Sequence, residues 1–146
     1  MKDNIATFLW FNNNAAEAAE LYCRIFPNGT ITETSAMSTS FTLGTQRYIA
    51  FNGGPHFKLD AAVSLFISCD TQAEVDALWA TFLAEGATES KCGWLVDKFG
   101  LSWQIIPNRL YALMTDPDGA KKQRVVAAMM QMSKIDIAVL EAARAG

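Results

Sequence analysis

Charge is what this chain has least of. Only 18% of its 146 residues are Asp, Glu, Lys or Arg, against about 25% in an ordinary soluble domain. The 12 basic and 15 acidic side chains leave a net charge of −3. No basic face is on offer to neutralise phosphates, which excludes nucleic acid as a partner. Long apolar runs are missing too. The N-terminal run Ile5 to Phe11 is far shorter than the ~20 residues of a spanning helix, and Asp70, Glu74, Asp97 and Lys98 interrupt the later ones, so no membrane segment is expected. That first run also lacks the long apolar region and small-residue cleavage site of a signal peptide. The cysteines, Cys23, Cys69 and Cys92, are odd in number and show no CxxC spacing. Such a set reads as reduced thiols filling the core of a cytoplasmic protein, not as a disulfide framework or a metal site. His56 is the single histidine. No nucleophile elbow, phosphate loop or HExxH motif occurs, so the chemistries those motifs carry have no foothold.

What the chain does have is apolar side chains, 51% of the total. High hydrophobicity with low net charge excludes intrinsic disorder. The length suits a single domain, residues 1–146, large enough to bury a core.

An internal repeat organises that apolar surplus. Phe8–Gly29 set beside Leu65–Gly86, an offset of 57 residues, matches Asn13 with Asp70, Ala16 with Ala73, Glu17 with Glu74, Leu21 with Leu78, Tyr22 with Trp79 and Gly29 with Gly86. Each copy opens on an apolar run suited to a strand, Ile5–Phe11 or Val63–Cys69. Each continues with a capping-box pattern, Asn14-x-x-Glu17 or Thr71-x-x-Glu74. Apolar residues then recur at helical spacing. They are Ala15, Ala18, Ala19, Tyr22, Ile25 and Phe26 in the first copy, and Val75, Leu78, Trp79, Phe82 and Leu83 in the second. The closing hairpins align at an offset of 56, with Gly44 against Gly100 and Tyr48 against Gln104. Each half therefore reads as strand, helix, three strands. The strands are expected at 5–11, 31–37, 39–43, 46–52, 63–69, 87–91, 93–98 and 102–107. The halves occupy residues 4–53 and 62–107, and residues 108–146 form a helical extension. There Asp116-Pro117 predicts a helix start, Val125, Val126, Met129, Met130 and Met132 an apolar stripe, and Ile135 to Ala143 a last helical segment. The run Lys121-Lys122-Gln123-Arg124 reads as a solvated helix face.

Two βαβββ modules with the segment Asp97-Lys-Phe-Gly-Leu-Ser-Trp-Gln-Ile105 resemble the vicinal oxygen chelate superfamily of glyoxalases, bleomycin-resistance proteins and extradiol dioxygenases. Three stretches narrow the match: Phe8-Leu-Trp-Phe-Asn-Asn-Asn14, Phe51-Asn-Gly-Gly-Pro-His-Phe57 and Cys92–Ile105. With the tail Met132–Ala138, they are similar to the PhnB-like proteins labelled 3-demethylubiquinone-9 3-methyltransferase. The stretch between Thr30 and Phe41 looks shorter than the family's usual second-to-third strand connection. The resemblance implies an α+β fold, with two curved mixed sheets flanking a cleft, and a homodimer. The methyltransferase label finds no support in the residues. The first strand runs into Asn12-Asn-Asn-Ala-Ala, with no glycine to bring a backbone close to S-adenosylmethionine, and no doubly wound βαβ pattern follows.

In metal-using relatives, His or carboxylate ligands stand on the first and last strands of each half. Carried over by the repeat, those positions are Thr7, Tyr48, Ser64 and Gln104. Two hydroxyls, a phenol and an amide are poor donors for a divalent first-row metal, so neither metal nor cofactor is expected. Strand alternation would turn Leu9, Phe11, Tyr48, Asn52, Ser64, Phe66, Ser68, Gln104 and Ile106 to the cleft. With Trp94 as a wall, Thr7, Tyr48, Asn52, Ser64, Ser68 and Gln104 would then line a small-molecule site, or else satisfy one another in a closed core. His56 is the candidate general base, or a loop residue fixing the linker between modules. Asp97 and Lys98 are an acid–base pair or a turn-stabilising Asp beside a solvated Lys. A metal-independent small-molecule-binding protein is the leading expectation. A metal-dependent lyase, isomerase or dioxygenase and an interaction scaffold are the alternatives.

Overall fold

Residues 5–146 are described in a computed structural model of the chain. Residue 4, where the first module was expected to open, lies outside them. The chain divides between Asp60 and Ala61 into two compact units.

The first unit runs β1 (Thr7–Phe11), α1 (Ala15–Ile25), β2 (Gly29–Thr34), β3 (Ser38–Leu43) and β4 (Gln46–Asn52). Its sheet has the order β1-β4-β3-β2, with β1 parallel to β4 and the other pairs antiparallel. The small side chains of Ala15, Ala18 and Ala19 are fully buried on one face of α1 and let the helix approach the sheet closely. Large residues from the strands fill the layer: Leu9, Phe11, Phe41 and Tyr48. The Tyr22 ring lies 6.0 Å from Phe41, which stacks on Tyr48 at 5.0 Å. Strand β2 begins and ends earlier than expected. Ser35 draws the chain away by accepting hydrogen bonds from the Met37 and Ser38 amides, and β3 follows three residues after β2 ends.

The expected cap of α1 is not made as the sequence suggested. Asn14 has φ −119° and ψ 28°, outside the extended conformation of a side-chain cap, and makes no capping bond. Asn52 at the end of β4 takes its place, its Oδ1 accepting from the Ala15 amide at 2.9 Å.

The second unit repeats the pattern with β5 (Ser64–Cys69), α2 (Gln72–Ala84), β6 (Thr88–Glu89), β7 (Trp94–Val96) and β8 (Ser102–Pro107), in sheet order β5-β8-β7-β6. Here the cap forms. Thr71 Oγ1 accepts from the Glu74 amide at 3.2 Å, and the Glu74 carboxylate accepts from the Asp70 amide, one residue before the position a capping box would use. Val75, Trp79 and Phe82 are buried, and Phe82 packs on Trp103 at 5.0 Å.

Three helices follow: α3 (Asn108–Met114), α4 (Gly119–Met130) and α5 (Ile137–Ala145). Their core joins Leu110, Leu113, Val125, Ile135 and Leu140 to Ile106 of β8, with Met114, Met129 and Met132 packed around it. Helix α4 is capped by Asp118, whose carboxylate accepts from the Ala120 and Lys121 amides. Pro117 therefore precedes the helix instead of opening it, and Asp116 accepts from the Asp118 amide in the turn before it. Gln72 of α2 ties the start of α5 down, donating to the Ile135 carbonyl and accepting from the Ile137 amide. No helix among the described residues is long and apolar enough to cross a membrane.

Candidate functional site

In each unit one face of the sheet is covered by its helix and the other is turned away from it. Side chains alternate between these faces along a strand, and paired residues share a face, so the register assigns every position. In the second sheet, Leu65, Ile67, Trp103 and Ile105 belong to the helix face. Ser64, Phe66, Ser68, Trp94, Ser102, Gln104 and Ile106 belong to the open face. Ser64 and Gln104 meet there, the amide donating to the hydroxyl at 2.9 Å. Trp94 stands opposite Gln104, and Phe66 flanks it on the other side, 59% exposed. Ser68 is exposed opposite Ile106, which the C-terminal helices take into their core.

The first sheet departs from expectation. Thr7 pairs with Tyr48, Leu9 with Ala50 and Phe11 with Asn52, and this is the helix face. Tyr48 is buried there and burial pushes its phenol pKa up, while Asn52 caps α1. Thr7, Tyr48 and Asn52 therefore do not share an open face as Ser64 and Gln104 do. The reason lies in the hairpins. Leu43 pairs with Gln46 around the two-residue turn Gly44-Thr45, but Val96 pairs with Ser102 around a loop of five residues. The aligned glycines sit in turns of different length, and a one-residue slip in offset exchanges the two faces. Counted back from the last pair of each ladder, Phe66 opposite Gln104 corresponds to Phe8 opposite Ile49.

The longer loop is built on Asp97, 5% exposed. Its Oδ1 accepts from the Phe99 and Leu101 amides at 2.9 and 3.0 Å, and its Oδ2 from the Trp103 indole at 2.9 Å. A carboxylate holding three donors in a buried turn is structural. Lys98 stands exposed beside it, over the Phe99 ring.

The open face of the first sheet carries Phe8, Trp10, Ser40, Thr42, Arg47, Ile49 and Phe51. A chain of rings crosses it: Phe8 to Phe51 at 5.3 Å, Phe51 to Trp10 at 5.2 Å, and Trp10 to Phe57 at 5.0 Å. The loop after β4 is pressed onto this surface. The Trp10 indole donates to the Gly54 carbonyl at 2.9 Å, and a Cβ on Gly53 would fall 2.2 Å from the Trp10 ring. His56 is exposed in the turn of that loop. Beside the rings is a cavity of about 270 Å³ bordered by Thr32, Ser40, Thr42 and Arg47 with Ala6 and Ile49. Sequence reasoning missed this cavity. The alternation Ser38-x-Ser40-x-Thr42 was its signal, but polar alternation in an outer strand reads equally as a solvated face.

A metal does not fit these residues. Among the described residues no group of three or more His, Cys, Asp or Glu side chains converges. The four positions implied by the repeat divide between a helix-covered and an open face, and both polar groups on the open one are engaged with each other. Phe8, Ile49, Phe66 and Gln104, which the register makes equivalent, offer one amide as donor. The unbridged thiols are no better. Burial pushes Cys69 up, with Glu74 and Asp70 adding to it, and burial pushes Cys23 up as well. S-adenosylmethionine finds no glycine turn either, since β1 runs through Asn12-Asn13-Asn14 straight into α1.

Comparison with known proteins places this architecture. No curated protein matches the chain. Among solved structures, the PhnB protein of Bacillus cereus is similar at 26% identity and a TM-score of 0.66, over 72% of this chain and 99% of its own. Protein PA1353 of Pseudomonas aeruginosa shares the fold at 22% identity and a TM-score of 0.58, over 70% and 96%. A glyoxalase-related enzyme from Fulvimarina pelagi shares it at 12% and 0.55, over 73% and 90%. The family model for 3-demethylubiquinone-9 3-methyltransferase matches residues 3–106, ending just before α3. With two βαβββ sheets under that match, the chain belongs to the 3-demethylubiquinone-9 3-methyltransferase (PhnB-like) family.

Proposed function

We propose that the protein binds a small organic molecule on the open faces of its sheets without a metal, and that the methyl transfer in its family's name is not its chemistry. The cavity on the first sheet carries this reading. It combines apolar surface from Ala6 and Ile49 with the polar side chains of Thr32, Ser40, Thr42 and Arg47, the usual make-up of a small-molecule site. The second sheet carries Ser64, Ser68, Trp94 and Gln104 on an open face of its own. Tyr48 borders the cavity from the strand beneath it. Thr7 and Asn52 support the sheet from its covered side. His56 rides on the loop held against Trp10 and is the candidate general base toward a bound ligand. The protein works in the cytoplasm as a homodimer, in keeping with its thiols and with the exposed Phe8 and Phe66.

The test is native mass spectrometry and metal analysis of the full chain purified without chelator, with light scattering for assembly. A co-purifying organic mass and metal far below one per chain are expected. Stoichiometric Fe, Mn, Ni or Zn overturns the metal-free reading in favour of a lyase, isomerase or dioxygenase. A monomer at micromolar concentration overturns the dimer.

A further inference from the structure

We propose that Asn28 is a covalent modification site, where the side-chain amide closes onto the next backbone nitrogen and water opens the ring to aspartate or isoaspartate. The Gly29 nitrogen gives up its proton and bonds to Asn28 Cγ, and ammonia leaves with that proton, forming a succinimide. Water then cleaves one of the two bonds from the ring nitrogen to a carbonyl carbon. The only co-reactant is water. A following glycine favours the closure, because no side chain shields the attacking nitrogen. Two Asn-Gly pairs occur, Asn28-Gly29 and Asn52-Gly53, and the fold separates their fates.

Asn52 is held at both ends of its amide. Its Oδ1 accepts from the Ala15 amide at 2.9 Å, and its Nδ2 donates to the Ala36 carbonyl at 3.3 Å. Gly53 is pinned as well, donating to the Phe11 carbonyl, with its backbone so close to Trp10 that a Cβ would meet the ring at 2.2 Å. Asn28 stands exposed in the turn between α1 and β2, and its side chain makes no hydrogen bond among the described residues. A single hydrogen bond holds the attacking nitrogen there, from the Gly29 amide to the Phe26 carbonyl at 2.9 Å. The consequence lies in the same turn. When water cleaves the bond to the main-chain carbonyl of Asn28, the chain continues through the side-chain methylene and that carbonyl becomes a free carboxylate. It is the carbonyl that accepts from the Gly44 amide at 3.1 Å. The extra methylene enters the chain just before Gly29, where a Cβ would already fall 2.5 Å from Cys23 Cα. Close packing leaves no slack for it, so isoaspartate lifts the start of β2 off α1 and breaks the pairing of Gly29 with Leu43.

The experiment ages the full chain in mildly alkaline buffer, native and in urea, and follows its tryptic peptides by mass spectrometry. Residues 25–47 and 48–58 each carry one of the two pairs, so the mass gain of a carboxyl over an amide reports each site separately. In the native chain the first peptide is expected to gain it about tenfold faster than the second, since two more hydrogen bonds must break at Asn52. In urea the two rates should converge. Asn28→Gln, whose longer side chain closes a ring far more slowly, should leave residues 25–47 unmodified. NMR of the aged native chain should show shifted amide signals for Gly29, Thr30, Leu43 and Gly44. If native Asn28 reacts no faster than Asn52, the turn protects it and the proposal fails. If its lead persists undiminished in urea, the fold is not what selects it. If isoaspartate accumulates while those four signals stay in place, β2 is not uncoupled from α1.

Discussion

The two sheets share a strand order and a covering helix, yet they close the ends of their open faces by different means. In the first, a two-residue turn joins long strands, and the far end of the face is covered by its own rings and the loop carrying Phe57. In the second, a five-residue loop joins a three-residue strand to its partner, and the far end at Ile106 is covered by three added helices. The matched family model ends before those helices begin. The difference teaches that a duplicated fold keeps its ladder and its helix contacts, while turns, face ends and polar groups are free to diverge.

The contrast breaks most sharply at Gly93. Its φ is +84°, and a Cβ there would lie 2.6 Å from Ile106 Cδ1, 3.0 Å from Ile135 Cγ1 and 3.1 Å from the Ile105 carbonyl. Both its amide and that of Cys92 donate to the segment after α4. Gly93→Ala combines the cost of a left-handed residue with overpacking against the helical extension, together about 3–4 kcal/mol. Urea denaturation should show that loss. A variant within about 1 kcal/mol of the parent would mean that the extension adjusts freely against β7.

The second largest effect belongs to the longer hairpin. Asp97→Ala leaves two amides and an indole without their acceptor in a buried turn, costing about 2–3 kcal/mol. Thr45→Ala in the exposed turn of the first sheet should stay within about 0.5 kcal/mol. Equal losses at the two sites would show that turn length, not Asp97, governs closure.

That asymmetry also marks how far the sequence could be read. Helices and strands were legible because apolar spacing is a local property, as with Val75, Trp79 and Phe82 on α2 or Leu9 and Phe11 on β1. Which face a strand turns to its helix is not local, since it depends on the length of the turn before it. Gly44 and Gly100 look alike as letters, yet they occupy turns of two and five residues, and Tyr48 consequently lies under α1 while Gln104 does not. The cavity was less legible still. Thr32, Ser40, Thr42 and Arg47 come from three strands, and nothing in any one strand distinguishes a polar face that borders a cavity from one that meets bulk water.

The helix starts offer a smaller, cleaner contrast. Asn52→Ala should cost about 1 kcal/mol through loss of the bond to the Ala15 amide, and Thr71→Ala a similar amount at α2. Asn14→Ala should stay within about 0.5 kcal/mol, because Asn14 makes no capping bond. A loss at Asn14 as large as at Asn52 would restore the capping box read from the sequence.

The smallest effect is electrostatic and confined to the second unit. The helical extension is laced by Arg144 to Asp116, Arg109 to Glu141 and Lys134 to Asp76. The Asp118 amide and then Arg144 hold Asp116 below the usual carboxylate range, Arg109 does so for Glu141, and Lys134 with Gln72 does so for Asp76. A carboxylate depressed on folding adds stability that is complete above its unfolded pKa of about 4 and is lost as pH falls through the lower folded value. Acidifying from pH 5 to pH 2 should therefore loosen α3–α5 while leaving the ladder of the first sheet in place, as read from residue-resolved NMR signals. Exposed pairs are individually weak and screened by salt, so 1 M NaCl at pH 5 should reproduce a fraction of the change, and Asp116→Asn with Glu141→Gln should flatten the pH response. If the first sheet melts together with the helices, the acid sensitivity does not originate in these pairs, and the two units are more alike in their electrostatics than in their turns.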